Sequence, residues 1–135
     1  MSLLPRIGWR RVVGWVMSGI AIAFLTLDGA LKVVAIPAVV EASNEIGFSA
    51  DLVPLLGVIL LASTALYATP ATALFGAILI TGFLGGAVSV HVRQHAPLLS
   101  HVLFGVYIGV LVWGGLYLRD PRLRALLPFR TSERA

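Results

Sequence analysis

The sequence predicts an all-α polytopic membrane protein, a bundle of four transmembrane helices, and three observations carry that prediction. Apolar residues make up 59% of the 135, charged residues only 12%, and the mean hydropathy is +0.97. A soluble domain of this size needs far more charge to cover its surface, so lipid is the expected solvent. The apolar residues also fall into four runs. About 20 residues span a bilayer core, so four spans consume roughly 80 and leave only short loops and tails in a single domain, 1–135. Finally, the basic residues gather at the two ends of the chain.

The first span is expected over about 12–36. Arg6, Arg10 and Arg11 precede it, and Pro37, which has no N–H for the helical ladder, stops it. Arginines before an apolar run, with Ala21-Ile22-Ala23 inside it, resemble a secretory leader. The hydrophobicity continues well past that point, so an uncleaved helix is the reading. Its polar interruptions are Asp28 and Lys32.

Residues 37–51 form the longest loop. Val39, Val40, Ile46 and Phe48 interleave with Glu41, Asn44 and Glu45, the pattern of a short amphipathic turn on the membrane surface, closed by Gly47. The second span, 52–68, is expected to start at Asp51 as N-cap, with Pro54 in the first turn. Thr69-Pro70 turns the chain into a third span over 71–90. The polar stretch His91 to Pro97 leads into a fourth over 98–118, which Arg119-Asp120-Pro121 ends before a basic tail.

Loop charge sets the expected orientation. Eight Lys and Arg residues lie on the terminal tails, whereas Arg93 stands alone in the two opposite loops, the first of which carries Glu41, Glu45 and Asp51. The excess of positive charge on one side places both termini in the cytoplasm. The formal net charge is +4, but the arginines flank apolar spans, where they fit topology and lipid headgroups rather than nucleic acid. With no cysteine, the chain has no disulfide, thiol redox chemistry or Cys-ligated metal centre of its own.

Helix association in lipid depends on close contact and interhelical hydrogen bonds. The third span carries small residues at spacing four, Ala73, Ala77, Thr81, Gly85 and Ser89, with Gly82 and Gly86 beside them. Gly105 and Gly109 in the fourth span, and Gly14, Ser18, Gly19 and Ala23 in the first, repeat the spacing. These read as packing faces within the bundle. Trp9, Trp15, Trp113 and Tyr117 are expected near the cytoplasmic headgroups.

The candidate site lies in the outer half. Asp28 and Lys32, four apart with the acid first, share a helix face in the favourable ion-pair order. Ionisable residues at this depth face a bundle interior or a wet cavity. His91, Arg93 and His101 occupy the outer hairpin between spans three and four, at similar depth to Lys32. Together the five supply ammonium, guanidinium and imidazole donors for carbonyl or anionic oxygens. The alternative is a neutralised Asp28–Lys32 pair that only pins the first helix. Two histidines are too few for a metal site without Asp28 or Glu45, and a bis-histidine haem through His91 and His101 is no better supported, so neither metal nor covalent cofactor is expected. The inner half reads as almost wholly apolar. No Ser-His-Asp order, phosphate loop or dinucleotide fingerprint occurs.

Four stretches resemble the DoxX-like family of small four-helix membrane proteins. They are Phe24-Leu-Thr-Leu-Asp-Gly-Ala-Leu-Lys32, the loop Val40-Glu-Ala to Glu-Ile-Gly47, Thr81-Gly-Phe-Leu-Gly-Gly-Ala87 with His91-Val-Arg93, and Ser100-His101 through Trp113-Gly-Gly-Leu-Tyr-Leu-Arg-Asp-Pro-Arg-Leu-Arg124. The likeness runs from about 15 to 127 and implies the four-helix fold. Some relatives carry an acid and a cysteine in the second span, where this chain has Leu60 and Ser63, so thiol or acid chemistry is not carried over. The family takes its name from a subunit associated with a quinol oxidase, and the resemblance links other members to membrane oxidoreductase complexes. The resulting expectation is a non-enzymatic accessory subunit in a bacterial inner (plasma) membrane. It would bind a lipid-like molecule or quinone near the outer leaflet through Asp28, Lys32, His91, Arg93 and His101. The rival expectation is a structural or assembly subunit of a larger membrane complex, or a homo-oligomer, without ligand chemistry. Membrane lipids are partners in both.

Overall fold

The computed structural model describes residues 8–127, so Arg6, Arg130 and Arg134 of the predicted basic ends lie outside the described residues. The order is α1 (Trp9–Val34), α2 (Pro37–Glu45), α3 (Val53–Ala68), α4 (Ala73–Arg93), α5 (Phe104–Arg119) and α6 (Pro121–Leu126). No strand occurs among the described residues. Four helices, with the short turns that extend them, are long and apolar enough to cross a membrane. At 1.5 Å per residue, the 26 residues of α1 reach about 39 Å, enough to span with tilt.

Consecutive spans run antiparallel in a ring. Helix α1 packs against α3 and α5, and α4 closes the circuit by packing against the same two. The core centres on Ala21, Leu25, Leu60, Tyr67, Ile80 and Val112. Large apolar side chains such as Ile20, Leu27, Val58, Phe75, Ile78 and Val110 stand exposed around the outside. An exposed apolar belt of this extent is unsustainable in water and is the natural surface of a protein solvated by hydrocarbon. Arg11, Pro70 and Arg119 line one pocket, so the start of α1, the α3–α4 turn and the end of α5 meet at what we call the arginine end.

Local physics moves several predicted boundaries. Helix α1 stops at Val34 rather than residue 36. Ile36 precedes a proline, which disfavours the helical region, and it is extended at ψ 144°. Ala35 takes a left-handed conformation, φ 56°, and the Ala35 and Ile36 amides close back on the Lys32 and Leu31 carbonyls. The predicted surface turn is a nine-residue helix, α2, opened by Pro37 at its first turn. It ends at Glu45, and the turn that follows carries Gly47, whose φ of 96° suits glycine. Asp51 does not cap α3; it sits exposed within a 3-10 turn, Ala50–Leu52, that leads into the helix, and its side chain accepts no capping bond.

Helix α4 continues to Arg93, so His91 and Arg93 are helical. His95 lies beyond the end of α4 at φ 52° and so shares no helical face with His91. A π-helical turn, Leu98–Val102, starts the fourth span. Its His101 and Val102 amides both donate to the Pro97 carbonyl, at 3.0 and 3.2 Å. After Asp120 the chain is again helical through α6, where a basic tail was expected. The Asp120 carboxylate caps α6 by accepting from the Arg122 amide at 2.9 Å.

The small-residue faces divide into used and unused parts. A Cβ on Gly14 would stand 2.8 Å from the Gly115 carbonyl oxygen, and one on Gly57 would stand 2.7 Å from that of Gly29. These are the points where α1 meets α5 and α3. On α4, Ala73 and Ala77 are buried, but Thr81, Gly85 and Ser89 are exposed. Cβ atoms added at Gly82, Gly85 and Gly86 would meet nothing within 4 Å, so no neighbouring helix packs closely against these three glycines.

Candidate functional site

Gly82 and Gly86 lie in the α4 wall of a cavity of about 630 Å³ at the end opposite the arginines. Its polar lining comes from four elements, one of them α2, which supplies the buried Ser43. Helix α1 supplies Asp28 and Lys32, α4 supplies His91 in its last turn, and the π-helical turn supplies His101. Ile46 and Phe48, from the turn and loop after α2, contribute apolar side chains. Phe24 and Phe104 meet edge to face, their centroids 5.1 Å apart, and also line the cavity.

The Lys32 ammonium donates to the Asp28 carboxylate at 2.6 Å, one turn apart on α1. Their side chains keep 17% and 33% of their surface exposed, so the pair is sheltered without being sealed. The His91 and His101 rings stand 5.9 Å apart at 72°, and Ser100 Oγ lies 2.8 Å from His101 Nδ1. The structure therefore brings four of the five expected site residues to one cavity. The fifth, Arg93, is exposed and does not line it. A Cβ on Gly47 would lie 3.3 Å from Arg93 Nη2, so the guanidinium sits beside the loop after α2. Among the described residues no three His, Asp or Glu side chains converge as a metal site.

Chemically the cavity is two-sided. An ion pair and two imidazoles present donors and acceptors, while phenyl and aliphatic groups make up most of the wall. Its volume lies within the range of about 300–1,000 Å³ usual for small-molecule sites. The shape also reflects the sequence, because glycines at positions 82 and 86 leave the α4 wall bare and the π-helical turn displaces His101 from a regular helical register.

A second polar cluster was not foreseen, and it corrects the expectation of an apolar inner half. At the arginine end Tyr67, fully buried on α3, donates its hydroxyl to the Val112 carbonyl of α5 at 2.6 Å and lies 2.9 Å from the Ser18 hydroxyl of α1. Arg119 Nε donates to Ser18 Oγ at 3.0 Å, and Nη2 to the Tyr67 carbonyl at 3.3 Å. The guanidinium carbon lies 4.1 Å from the Trp15 ring centroid and 5.2 Å from that of Tyr67. Arg119, read from sequence as a topology marker, joins three helices. Trp113 also links two helices, its indole N–H donating from α5 to Thr81 Oγ1 of α4 at 2.6 Å.

Four apolar spans in a ring, with a part-polar cavity at one end and a hydrogen-bonded seam at the other, define a small polytopic helical membrane protein. Within that class the family model described as DoxX-like family matches residues 16–115, and the chain belongs to that family. No curated protein and no solved structure matches it.

Proposed function

We propose that the cavity holds the headgroup of a lipid-like molecule, a quinone being the class that fits best, and that the chain acts as an accessory subunit of a membrane redox system. The observation that carries this reading is the convergence of Asp28, Lys32, His91 and His101 on one largely apolar cavity. A quinone offers two carbonyl acceptors on a flat ring and a long apolar tail. Imidazole N–H groups and the Lys32 ammonium match the carbonyls, the phenylalanines match the ring, and the open glycine wall of α4 leaves a path for a tail. Asp28 keeps the ammonium in place, and Arg93 takes the part of a rim cation beside Gly47. The membership in a family named for a quinol-oxidase-associated subunit supports the redox context. The loop charges support an orientation with both termini cytoplasmic, which puts the cavity in the outer leaflet of a bacterial inner membrane.

The test is co-purification. The wild-type chain and the Asp28→Asn/His101→Ala double variant are extracted from the same membranes in mild detergent, and bound quinone and lipid are quantified by mass spectrometry. Loss of the His101 donor, together with release of Lys32 from its charged partner, is expected to lower quinone retention about tenfold or more. Retention equal to wild type in a folded double variant would remove the site.

A further inference from the structure

The arginine end carries a pocket of its own, of about 330 Å³, between α1, the α3–α4 turn and the α5–α6 junction. Three guanidinium groups line it, from Arg11, Arg119 and Arg122, against one carboxylate, that of Asp120. Their hydrogen-bonding capacity is unevenly used. Arg122 donates from Nε and Nη2 to Asp120, both at 3.2 Å. Arg119 commits Nε and Nη2 to Ser18 and Tyr67, which leaves its Nη1 without a protein acceptor among the described residues. Arg11 has no side-chain hydrogen bond or ion pair among them. An excess of two positive charges thus meets in one concave place with donors to spare.

The depth of the pocket identifies the anion. Arg11 lies in the first turn of the first span and Arg119 is the last residue of the fourth, so the pocket sits where headgroups begin. Trp15 forms its membrane-side wall, and Val12 and Val16 leave exposed apolar surface on the same turns of α1. A soluble anion would use the arginines alone. A lipid would use the arginines for its phosphate and the α1 surface for its acyl chains. We propose that this pocket binds the phosphate of an anionic membrane phospholipid, with Arg11 and Arg122 as outer clamps and Arg119 as the fixed inner donor. The general attraction of flanking arginines to headgroups becomes here a site of defined residues. It is independent of the cavity at the other end.

The experiment uses the full chain in detergent, titrated with phosphatidylglycerol or phosphatidylcholine and read by native mass spectrometry as lipid-bound fraction. Arg11→Gln is the first variant, because that side chain supports no other residue among those described; Arg11→Gln/Arg122→Gln is the second. Arg10→Gln is the control, since Arg10 stacks on Trp9, 5.7 Å from its ring centroid, outside the pocket. We expect one preferred phosphatidylglycerol, bound about tenfold more weakly in Arg11→Gln and more weakly still in the double variant, with Arg10→Gln unchanged. Equal affinity for phosphatidylcholine, or an equal loss in Arg10→Gln, would overturn the proposal. So would displacement of the lipid by millimolar inorganic phosphate but not by chloride at matched ionic strength, which would assign the pocket to a free anion.

Discussion

The two ends of the bundle use the same ingredients to opposite effect. Helix α1 contributes a polar side chain to both: Ser18 at the arginine end and Asp28 at the other. Ser18 is fully buried and shared between Tyr67 and Arg119. Asp28 keeps a third of its side chain exposed and is bound by Lys32, its neighbour on the same helix. At the arginine end, polar atoms tie α1, α3 and α5 together. At the far end, the side-chain hydrogen bonds Asp28–Lys32, Ser100–His101 and Tyr107 to the Leu99 carbonyl each stay within one span and cross no gap between helices. Among the described residues no buried side-chain polar atom lacks a partner, so the difference lies in connectivity. In hydrocarbon, bonds between helices hold a bundle, and local bonds leave room for a guest.

The sharpest way to break this contrast is to make one chemical change at each end. Gly115→Ala drives a methyl into Ser18 Oγ and places it 2.8 Å from the Ser18 amide nitrogen and 2.9 Å from the Gly14 carbonyl oxygen, between backbones that do not yield. Gly86→Ala places it in open space on the cavity wall. The first is expected to destabilise by about 3 kcal/mol through overpacking. The second is expected to be neutral or to stabilise by about 0.5–1 kcal/mol, the usual gain of alanine over glycine within a helix. Unfolding in mixed micelles under a denaturing detergent measures both. Equal losses at the two ends would show that the far end is as tightly built as the seam.

A second comparison isolates the arginine. Arg119→Lys keeps the charge but loses the planar fork that binds Ser18 and Tyr67 together and lies over two aromatic faces. The expected cost is about 2 kcal/mol in the same unfolding assay. His101→Ala, which deletes a bond only to the adjacent Ser100, is expected to stay within about 0.5 kcal/mol of wild type. A lysine variant as stable as wild type would reduce Arg119 to a topology charge.

The same contrast explains what could be read from the chain. The four spans were legible because hydrophobicity over about 20 residues is a long, summed signal. The far cavity was legible in part because Asp28, Lys32, His91 and His101 are rare residue types within or beside apolar spans, and topology alone brings them to one end. Arg93 was misplaced within that group because its side chain turns to Gly47, a loop neighbour that no helical spacing reveals. The arginine seam was hidden for a different reason. Ser18 was counted for its size, and Arg119 for its charge at a helix end. The feature that would have linked them is a tyrosine, Tyr67, inside an apolar span whose neighbouring hydroxyls, Ser63, Thr64 and Thr69, bond carbonyls of their own helix, since a buried phenol needs a partner. Helix α6 escaped notice, and α2 was read only as an amphipathic turn, because each is set by a proline at its start and is too short to show a full helical period.

The smallest expected effect concerns α6, which extends the arginine end beyond the membrane. The Arg122 guanidinium, hydrogen-bonded to Asp120, holds that carboxyl below its ordinary value of 3.8, against an opposing push from partial burial. The Arg122 amide bond lowers it further. A carboxylate with a depressed folded value stabilises fully above the unfolded value and loses that contribution as pH falls through the folded one. Helix α6 should therefore be docked at neutral pH and fray only in acid below 3.8, visible as faster amide exchange over Pro121–Leu126. Asp120→Asn retains an acceptor for the cap but not the charge, so it should flatten the pH dependence while leaving neutral-pH protection nearly intact. Asp120→Ala removes both, at about 1 kcal/mol of local stability at every pH. If Asn and Ala variants exchange alike at neutral pH, the cap contributes nothing, and the order of α6 rests on Leu123, which is buried against the core.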